Sequence, residues 1–482
     1  MSGADMVALL PLILLAGSAV IVMLGVAIRR HHALTAYLTA AGLAASFGSL
    51  WKSATVAPRQ VTPLLLIDHF ALFYIGVIIA TTFVVVALGY GYFEVQQGER
   101  EEFYILLLIA ATGSAVLVAS DHFASFFLGL EILSVSLYAM IAFLHTRRLP
   151  VEAGIKYLVL AAASSAFLLF GMALVYLQLG TMSLPDMIAE AMNPANTSNG
   201  ILAVGVVLIV TGIGFKLGVV PFHLWTPDVY EGSPAPVTTF VATVSKGAMF
   251  ALLLRYFHAA RPLNLQPLLL VFAIIAVASM CIGNLLALLQ GNVKRILAYS
   301  SVAQLGYVLV AMLAGGTMGT SAATFYLVAY FVTSLGAFGI VTVLSTRDRD
   351  AGELEDYRGL FWRRPVIAAI FTMTLLSLAG IPLTAGFVGK FYIVAAGASS
   401  AIWYLVLTLV ITSVIGLFYY LRIISAMFAA DSREPEGIAE PLPRLSLPGG
   451  SALVVLSAVL IWLGVYPQPL VAVIRSVLAS LQ

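Results

Sequence analysis

Apolar runs of about 20 residues recur along this sequence, and they constrain the fold more than any motif does. Fourteen lie near residues 6–28, 33–51, 70–92, 103–120, 122–145, 153–179, 201–229, 236–257, 267–289, 297–316, 322–346, 364–396, 401–429 and 447–475. Hydrophobic residues make up 61% of the 482-residue chain and charged residues 10%, against about 25% charged in a soluble domain. Too few polar side chains remain to coat a water-facing surface, and a disordered chain would be charge-rich. In a bilayer every backbone polar group must be satisfied inside the protein, which leaves helices or a closed barrel. Barrel strands alternate polar and apolar over about ten residues, so continuous runs of twice that length are helices. The expected fold is an all-α polytopic membrane protein of about 14 transmembrane helices, with the lipid bilayer as its surroundings. A net charge of +2 gives no reason to expect a nucleic acid partner. The lone Cys281 lies in an apolar run, so neither an internal disulfide nor a thiolate metal cluster is available. The first segment carries Asp5 and no basic n-region, unlike a cleavable signal.

Basic residues orient the chain. Counting a residue at the end of a span with its adjoining loop, the odd-numbered loops hold 15 of the 24 Lys and Arg, the even loops four, the span interiors four, and the C-terminal end Arg475. The positive-inside rule puts the odd loops in the cytoplasm and both termini on the non-cytoplasmic side. The loop from Arg347 to Arg364 also carries Asp348, Asp350, Glu353, Glu355 and Asp356. It is expected to be solvated or docked to a neighbouring subunit.

Two spans are too long and contain breakers. The seventh includes Pro221, which cannot donate to the Leu217 carbonyl, next to Lys216. The twelfth includes Pro382, which releases the Leu378 carbonyl, with Gly380, Gly386 and Gly389 around it. Grouping spans 4–8 and 9–13 makes the broken helix the fourth member of each group, with a lysine near each break. Five is odd, so the groups would be inverted repeats, an arrangement typical of secondary transporters. The expected organisation is an N-terminal three-helix segment (1–100), a five-helix half-channel at 101–260, a second at 261–430, and a C-terminal helix at 431–482.

Charge inside a membrane is costly and marks function. Well inside the spans stand one acid, Glu131, and four lysines, Lys156, Lys216, Lys246 and Lys390. Arg422 lies in the thirteenth span close to its cytoplasmic end. Only Lys52 and Lys294 lie outside spans, while arginine supplies nearly all loop charge. Arginine stays protonated in proteins, whereas a buried lysine can lose its proton. An ion pair of Glu131 with a lysine at 4 Å, at an effective dielectric near 20, would be worth about 4 kcal/mol. His223, seven residues after Lys216, would lie on the same helical face and suits a relay. Lys156 could instead snorkel to the cytoplasmic surface, Lys246 could hold a freed carbonyl, and His223 could be a packing residue. Thr211, Ser245, Tyr299, Ser300, Ser301, Gln304 and Thr384 could hold connecting water.

The chain has no Walker phosphate loop, no Rossmann fingerprint, no cysteine cluster and no histidine pattern for paired haem ligation. Energy for pumping would come from a partner or a gradient.

The segments Pro221-Phe222-His223-Leu224-Trp225-Thr226-Pro227-Asp228-Val229-Tyr230, Ser245-Lys246, and Lys294-Arg295 followed by Ala298-Tyr299-Ser300-Ser301 carry a resemblance. Phe170-Gly171-Met172 with Tyr176, and Tyr357-Arg358-Gly359-Leu360-Phe361-Trp362, extend it. Over essentially its whole length the chain resembles the antiporter-like membrane subunits of respiratory complex I, the proton-translocating NADH-quinone oxidoreductase. Lys390 is similar to the branch with lysine on the twelfth span, where a sibling branch typically has glutamate. The resemblance implies one proton channel built from two linked half-channels. It makes Glu131 the coupling acid, Lys216 its partner and central carrier, Lys246 the connecting lysine, Lys390 the exit-side lysine and Lys156 a further lysine of less certain role. It places the protein in the bacterial inner membrane among other membrane subunits. NADH, FMN, iron–sulfur clusters and quinone then belong to partner subunits, and no cofactor is expected in this chain. Two other readings stay open: a subunit of a multi-subunit sodium/proton antiporter, and a structural subunit that does not pump.

Overall fold

A computed structural model describes residues 2–96, 98, 100–193, 200–260, 266–429 and 445–479. Among them, thirteen helices are long and apolar enough to cross a membrane. The expected twelfth span is two fifteen-residue half-helices, Pro365–Ala379 and Ala385–Ser399. A short antiparallel hairpin, Arg59–Val61 with Leu65–Ile67, joins spans 2 and 3. The expected domain boundary at 430/431 lies outside the described residues.

Helices of this kind gain little from hydrophobicity against lipid, so small residues that let backbones approach decide which pairs pack. Spans 4 and 5 meet through Gly113 and Gly129: a Cβ on Gly113 would stand 2.6 Å from the Leu133 nitrogen, and one on Gly129 2.8 Å from the Leu117 nitrogen. Gly171 with Gly205 does the same for spans 6 and 7, and Gly283 with Gly306 for spans 9 and 10.

The layout is concentric. Spans 8 (Ala235–Ala260), 10 (Val293–Ala314) and 11 (Gly316–Leu344) are almost wholly enclosed by the others. Lipid therefore cannot touch Lys246, Ser300, Ser301, Gln304, Tyr326 or Tyr330, all of which they carry. Span 8 contains a π-helical turn, Val241–Ser245, immediately before Lys246. The extra residue of such a turn rotates the side chains beyond it to a new direction, and these turns gather at functional sites.

Two basic residues are placed differently from expectation. Arg255, not among the expected intramembrane charges, is 5% exposed and forms a two-pronged pair with Asp68, at 2.7 and 2.9 Å. It ties the end of span 8 to the start of span 3. Lys294, expected in a loop, is 1% exposed. It donates to Asp350 Oδ2 at 2.7 Å and to the carbonyls of Glu231 and Ser233. Asp350 also accepts from Tyr92, and the Tyr357 hydroxyl donates to the Ala351 carbonyl. The 347–364 loop is therefore folded onto the chain rather than simply solvated. Asp350 and Asp356 have partners within the protein, a pairing that no linear spacing reveals.

Removing one member of a buried pair strands the other, a loss of about 3–5 kcal/mol. Arg255→Gln is therefore expected to lower the thermal stability of the assembled protein markedly, read by thermal denaturation in detergent.

Candidate proton-transfer site

Both broken helices end in the same way. The first half of span 7, Gly200–Leu217, stops at Gly218, whose φ is +69°. The amides of Gly218 and Val219 both turn back to the Gly214 carbonyl. The first half of span 12 stops at Gly380, φ +87°. There the amides of Gly380 and Ile381 turn back to Leu376. This is the left-handed helix ending that glycine makes without strain. Pro221 and Pro382 come after it; they prevent the helix resuming but do not start the break. The second halves are Trp225–Gly232 and Ala385–Ser399.

Lysines surround the breaks. Lys390, 7% exposed, donates to the Leu378 carbonyl at 2.9 Å, to the Ala379 carbonyl at 2.9 Å and to Ser413 Oγ at 2.6 Å. The carbonyl that Pro382 was expected to free is thus one that Lys390 uses, and Gln304 Nε2 donates to it as well, at 3.0 Å. Lys246, 1% exposed, holds no carbonyl. It donates to Ser301 Oγ at 2.9 Å and stands over the rings of Tyr230 (5.2 Å) and Trp225 (5.8 Å). Lys216, 4% exposed, donates to Ser134 Oγ at 2.7 Å and lies over Tyr157. Among the described residues, none of the three has a carboxylate in contact, so each can release a proton without breaking an ion pair.

The direct Glu131–Lys216 pair expected from the sequence is not formed. Glu131 Oε1 instead accepts from Ser165 Oγ at 2.5 Å, while Lys216 uses Ser134, three residues along span 5. Each group is held by its own serine, Glu131 by Ser165 of span 6 and Lys216 by Ser134 of span 5. Glu131 is half-buried, and Leu128 and Val135, on its side of the helix, are exposed. That face of span 5 is left uncovered by the described residues of this chain.

His223 is not on the Lys216 face, because the helix carrying Lys216 ends before it. It sits in the turn between the half-helices, 5% exposed, with its ring 6.4 Å from that of Tyr299. Neither of its ring nitrogens has a protein partner among the described residues. Lys156 lies outside the lysine cluster. Its side chain is 44% exposed and ion-paired to Glu152 at 3.0 Å and Asp228 at 2.8 Å.

Span 10 contributes polar side chains at both later lysines, in two hydrogen-bonded groups. Ser301, the partner of Lys246, also bonds the Tyr330 hydroxyl at 2.6 Å. Its neighbour Ser300 bonds the Tyr420 hydroxyl, which accepts from Gln304 Nε2 at 3.3 Å. Tyr326 donates to Gln304 Oε1, and Gln304 shares the Leu378 carbonyl with Lys390. Gly218, two residues after Lys216, lies beside Lys246 and Thr226, whose hydroxyl has no protein partner among the described residues. Ser300, Ser301 and Gln304 match the polar lining expected from the sequence. Ser134, Ser165, Ser413, Tyr326, Tyr330 and Tyr420 are additions, since isolated hydroxyls in apolar helices are more often packing residues.

Comparison with known proteins fits this geometry. Residues 120–416 match the family described as NADH:quinone oxidoreductase/Mrp antiporter, TM. Relatives named NADH-quinone oxidoreductase subunit N are 53% identical in Nitrosospira multiformis and 47% in Ectopseudomonas mendocina; each alignment covers 98% of this chain and 96% of the relative. The chain belongs to the NADH-quinone oxidoreductase subunit N family. A chain of respiratory complex I from Thermus thermophilus superposes with a TM-score of 0.80 at 31% identity, over 96% of this chain and 98% of that one. A chain of the Mrp complex from Dietzia sp. DQ12-45-1b gives 0.86 at 21% identity, over 100% and 98%, a likeness of fold alone. Members of this family are antiporter-like membrane subunits, and these solved structures are of multi-subunit complexes.

Proposed function

We propose that this chain carries protons across a bacterial inner membrane as a subunit of a proton-translocating NADH-quinone oxidoreductase, a translocase whose redox chemistry happens elsewhere. The observation that carries this reading is the set of three buried lysines without a contacting counter-ion among the described residues, with Ser301, Ser300 and Gln304 of span 10 forming two separate hydrogen-bonded groups, one at Lys246 and one at Lys390. Glu131 is the coupling acid. A change of charge in a neighbouring subunit, covering the open face of span 5, alters the field at Lys216. Lys216 then gives its proton toward Lys246, by way of water near Thr226, and Lys246 passes it toward Lys390. His223 is a secondary relay. NADH, FMN, iron–sulfur clusters and quinone belong to partner subunits. The odd-numbered loops face the cytoplasm and both termini the other side. The matching left-handed endings at Gly218 and Gly380 support reading 101–260 and 261–430 as inverted half-channels, between the three-helix segment 1–100 and the closing helix in 431–482.

The runner-up, a sodium/proton antiporter subunit, shares the fold with the Mrp complex. Purification of the native complex and reconstitution with a pH-sensitive dye separates the two. Proton movement that needs NADH and quinone supports the reading; movement driven by a sodium gradient alone overturns it. Within that system, Glu131→Ala is expected to leave electron input to artificial acceptors near the wild-type rate while impairing pumping.

A further inference from the structure

On the basic face, a crevice of about 160 Å³ is walled by Lys156, Asp228, Glu231 and Arg295. Its charges are joined. Asp228 Oδ2 accepts from Lys156 of span 6 at 2.8 Å, and Asp228 Oδ1 from Arg295 of span 10 at 2.8 Å. The same Arg295 nitrogen donates to Glu231 at 2.7 Å. Asp228 and Glu231 both stand on the eight-residue half-helix Trp225–Gly232. That half-helix is therefore held from outside by one cation of the first half-channel and one of the second.

Each acid or lysine of the wall has a buried aromatic residue close to it in sequence. Tyr157 is next after Lys156, Tyr230 precedes Glu231, and Trp225 is one turn before Asp228. Tyr157, Trp225 and Phe215 pack together, with Tyr157 and Trp225 at 5.0 Å and Trp225 and Phe215 at 5.6 Å. The Trp225 indole donates to the Phe215 carbonyl across the break. The buried lysines stand against these and neighbouring rings, Lys216 over Tyr157 and Lys246 over Trp225 and Tyr230. The rings and the ammonium groups they touch are buried, while the side chains of the crevice wall are partly exposed.

We propose that this crevice is the proton inlet, that the Tyr157–Trp225–Phe215 layer is its gate, and that the Asp228 and Glu231 pairs with Lys156 and Arg295 are the latch that keeps it shut. This rests on the proton-translocation reading above. The latch sits where it can be undone. Its side chains are between a quarter and a half exposed, and such pairs are weak and screened by salt. The nearly dry Asp68–Arg255 pair of the opposite face is a permanent tie by contrast. Releasing Asp228 frees the outer end of the half-helix, and Trp225 moves with it as one short rigid element. Lys156 and Asp228 act through Trp225 and are positioning residues.

The test uses the complete complex in inverted membrane vesicles, with Cys281→Ser and Ala161→Cys introduced. Ala161 is fully buried one turn inward of Tyr157 on the same helix face. The probe is a small cationic methanethiosulfonate added from the basic-face side, and labelling is read by the mass of this subunit. Slow labelling with an intact latch, at least about tenfold faster labelling in Asp228→Asn, and slow labelling in Asp228→Glu are expected, since a tenfold change corresponds to only about 1.4 kcal/mol. Trp225→Ala should label fast and Trp225→Phe slowly. If Asp228→Asn does not assemble, Lys156→Gln, which removes an exposed partner only, is expected to accelerate labelling too. Equal rates with and without the latch overturn the proposal. Lys216→Ala in the same vesicles keeps the two ideas apart. Normal NADH-driven pumping in that variant sinks the translocation reading itself. Lost pumping there, with labelling indifferent to Asp228, sinks only the gate.

Discussion

Lys390→Arg is expected to lose NADH-driven proton uptake by about a hundredfold or more, the scale on which a transfer group contributes, while electron input to artificial acceptors stays near wild type. Arginine keeps a donor for the Leu378 and Ala379 carbonyls and keeps the positive charge, but it does not give up its proton. Lys390→Met should fail to the same extent for the opposite reason, having no proton to carry. Neither failure should be one of folding. Without the ammonium, the Leu378 carbonyl still accepts from Gln304 and the Ala379 carbonyl from Ser413. The break at Gly380 is closed by backbone bonds that do not involve Lys390. The measurement is the ratio of protons taken up to NADH oxidised in proteoliposomes, with assembly checked on a native gel. A full ratio in Lys390→Arg would mean that a fixed charge suffices there, and the lysine relay would be wrong at that position.

The architecture is legible because lipid enforces a simple rule: a span must be long and nearly uncharged, so the thirteen membrane-length helices among the described residues fall in segments that hydropathy picks out. The buried lysines were legible for the same reason, each being an expensive exception in an apolar run. Contacts between spans were not. Glu131 and Lys216 have complementary charges, and the simplest inference joined them, yet Ser165 and Ser134 take their places. Serine costs little in a membrane helix, so hydropathy does not register which serine faces an ammonium. Counting turns from Lys216 to His223 failed because the count assumed an unbroken helix. Proline spacing points to Pro221 as the cause of the break, whereas Gly218 ends the helix three residues earlier. Distance along a span groups Lys156 with the other lysines. The acids that hold it are Glu152, on the same helix, and Asp228, on the half-helix beyond the next break, a neighbour that only the folded chain supplies.

That kind of break explains the second large effect. At Gly380 the backbone is left-handed, and a Cβ would stand 2.8 Å from Lys390 Cδ and 3.3 Å from Lys390 Nζ. At Gly218 it is also left-handed, and a Cβ would stand 2.6 Å from Thr226 Oγ1 and 3.4 Å from Lys246 Nζ. An alanine at either site costs about 1–2 kcal/mol for its φ alone. At Gly380 it must also push the lysine stem off the two carbonyls that orient it. Gly380→Ala is therefore expected to destabilise the protein modestly but to cut the proton-to-electron ratio severely, and Gly218→Ala to do the same through Lys246 and Thr226. Gly17→Ala supplies the control. A Cβ there meets nothing within 4 Å, and alanine in a helix is favoured over glycine by up to about 1 kcal/mol. Thermal denaturation and the reconstituted pumping ratio, measured on all three variants, separate a general loss of stability from displacement of the ammonium groups. If Gly380→Ala pumped at the wild-type ratio, the position of Lys390 against the freed carbonyls would be incidental to transport.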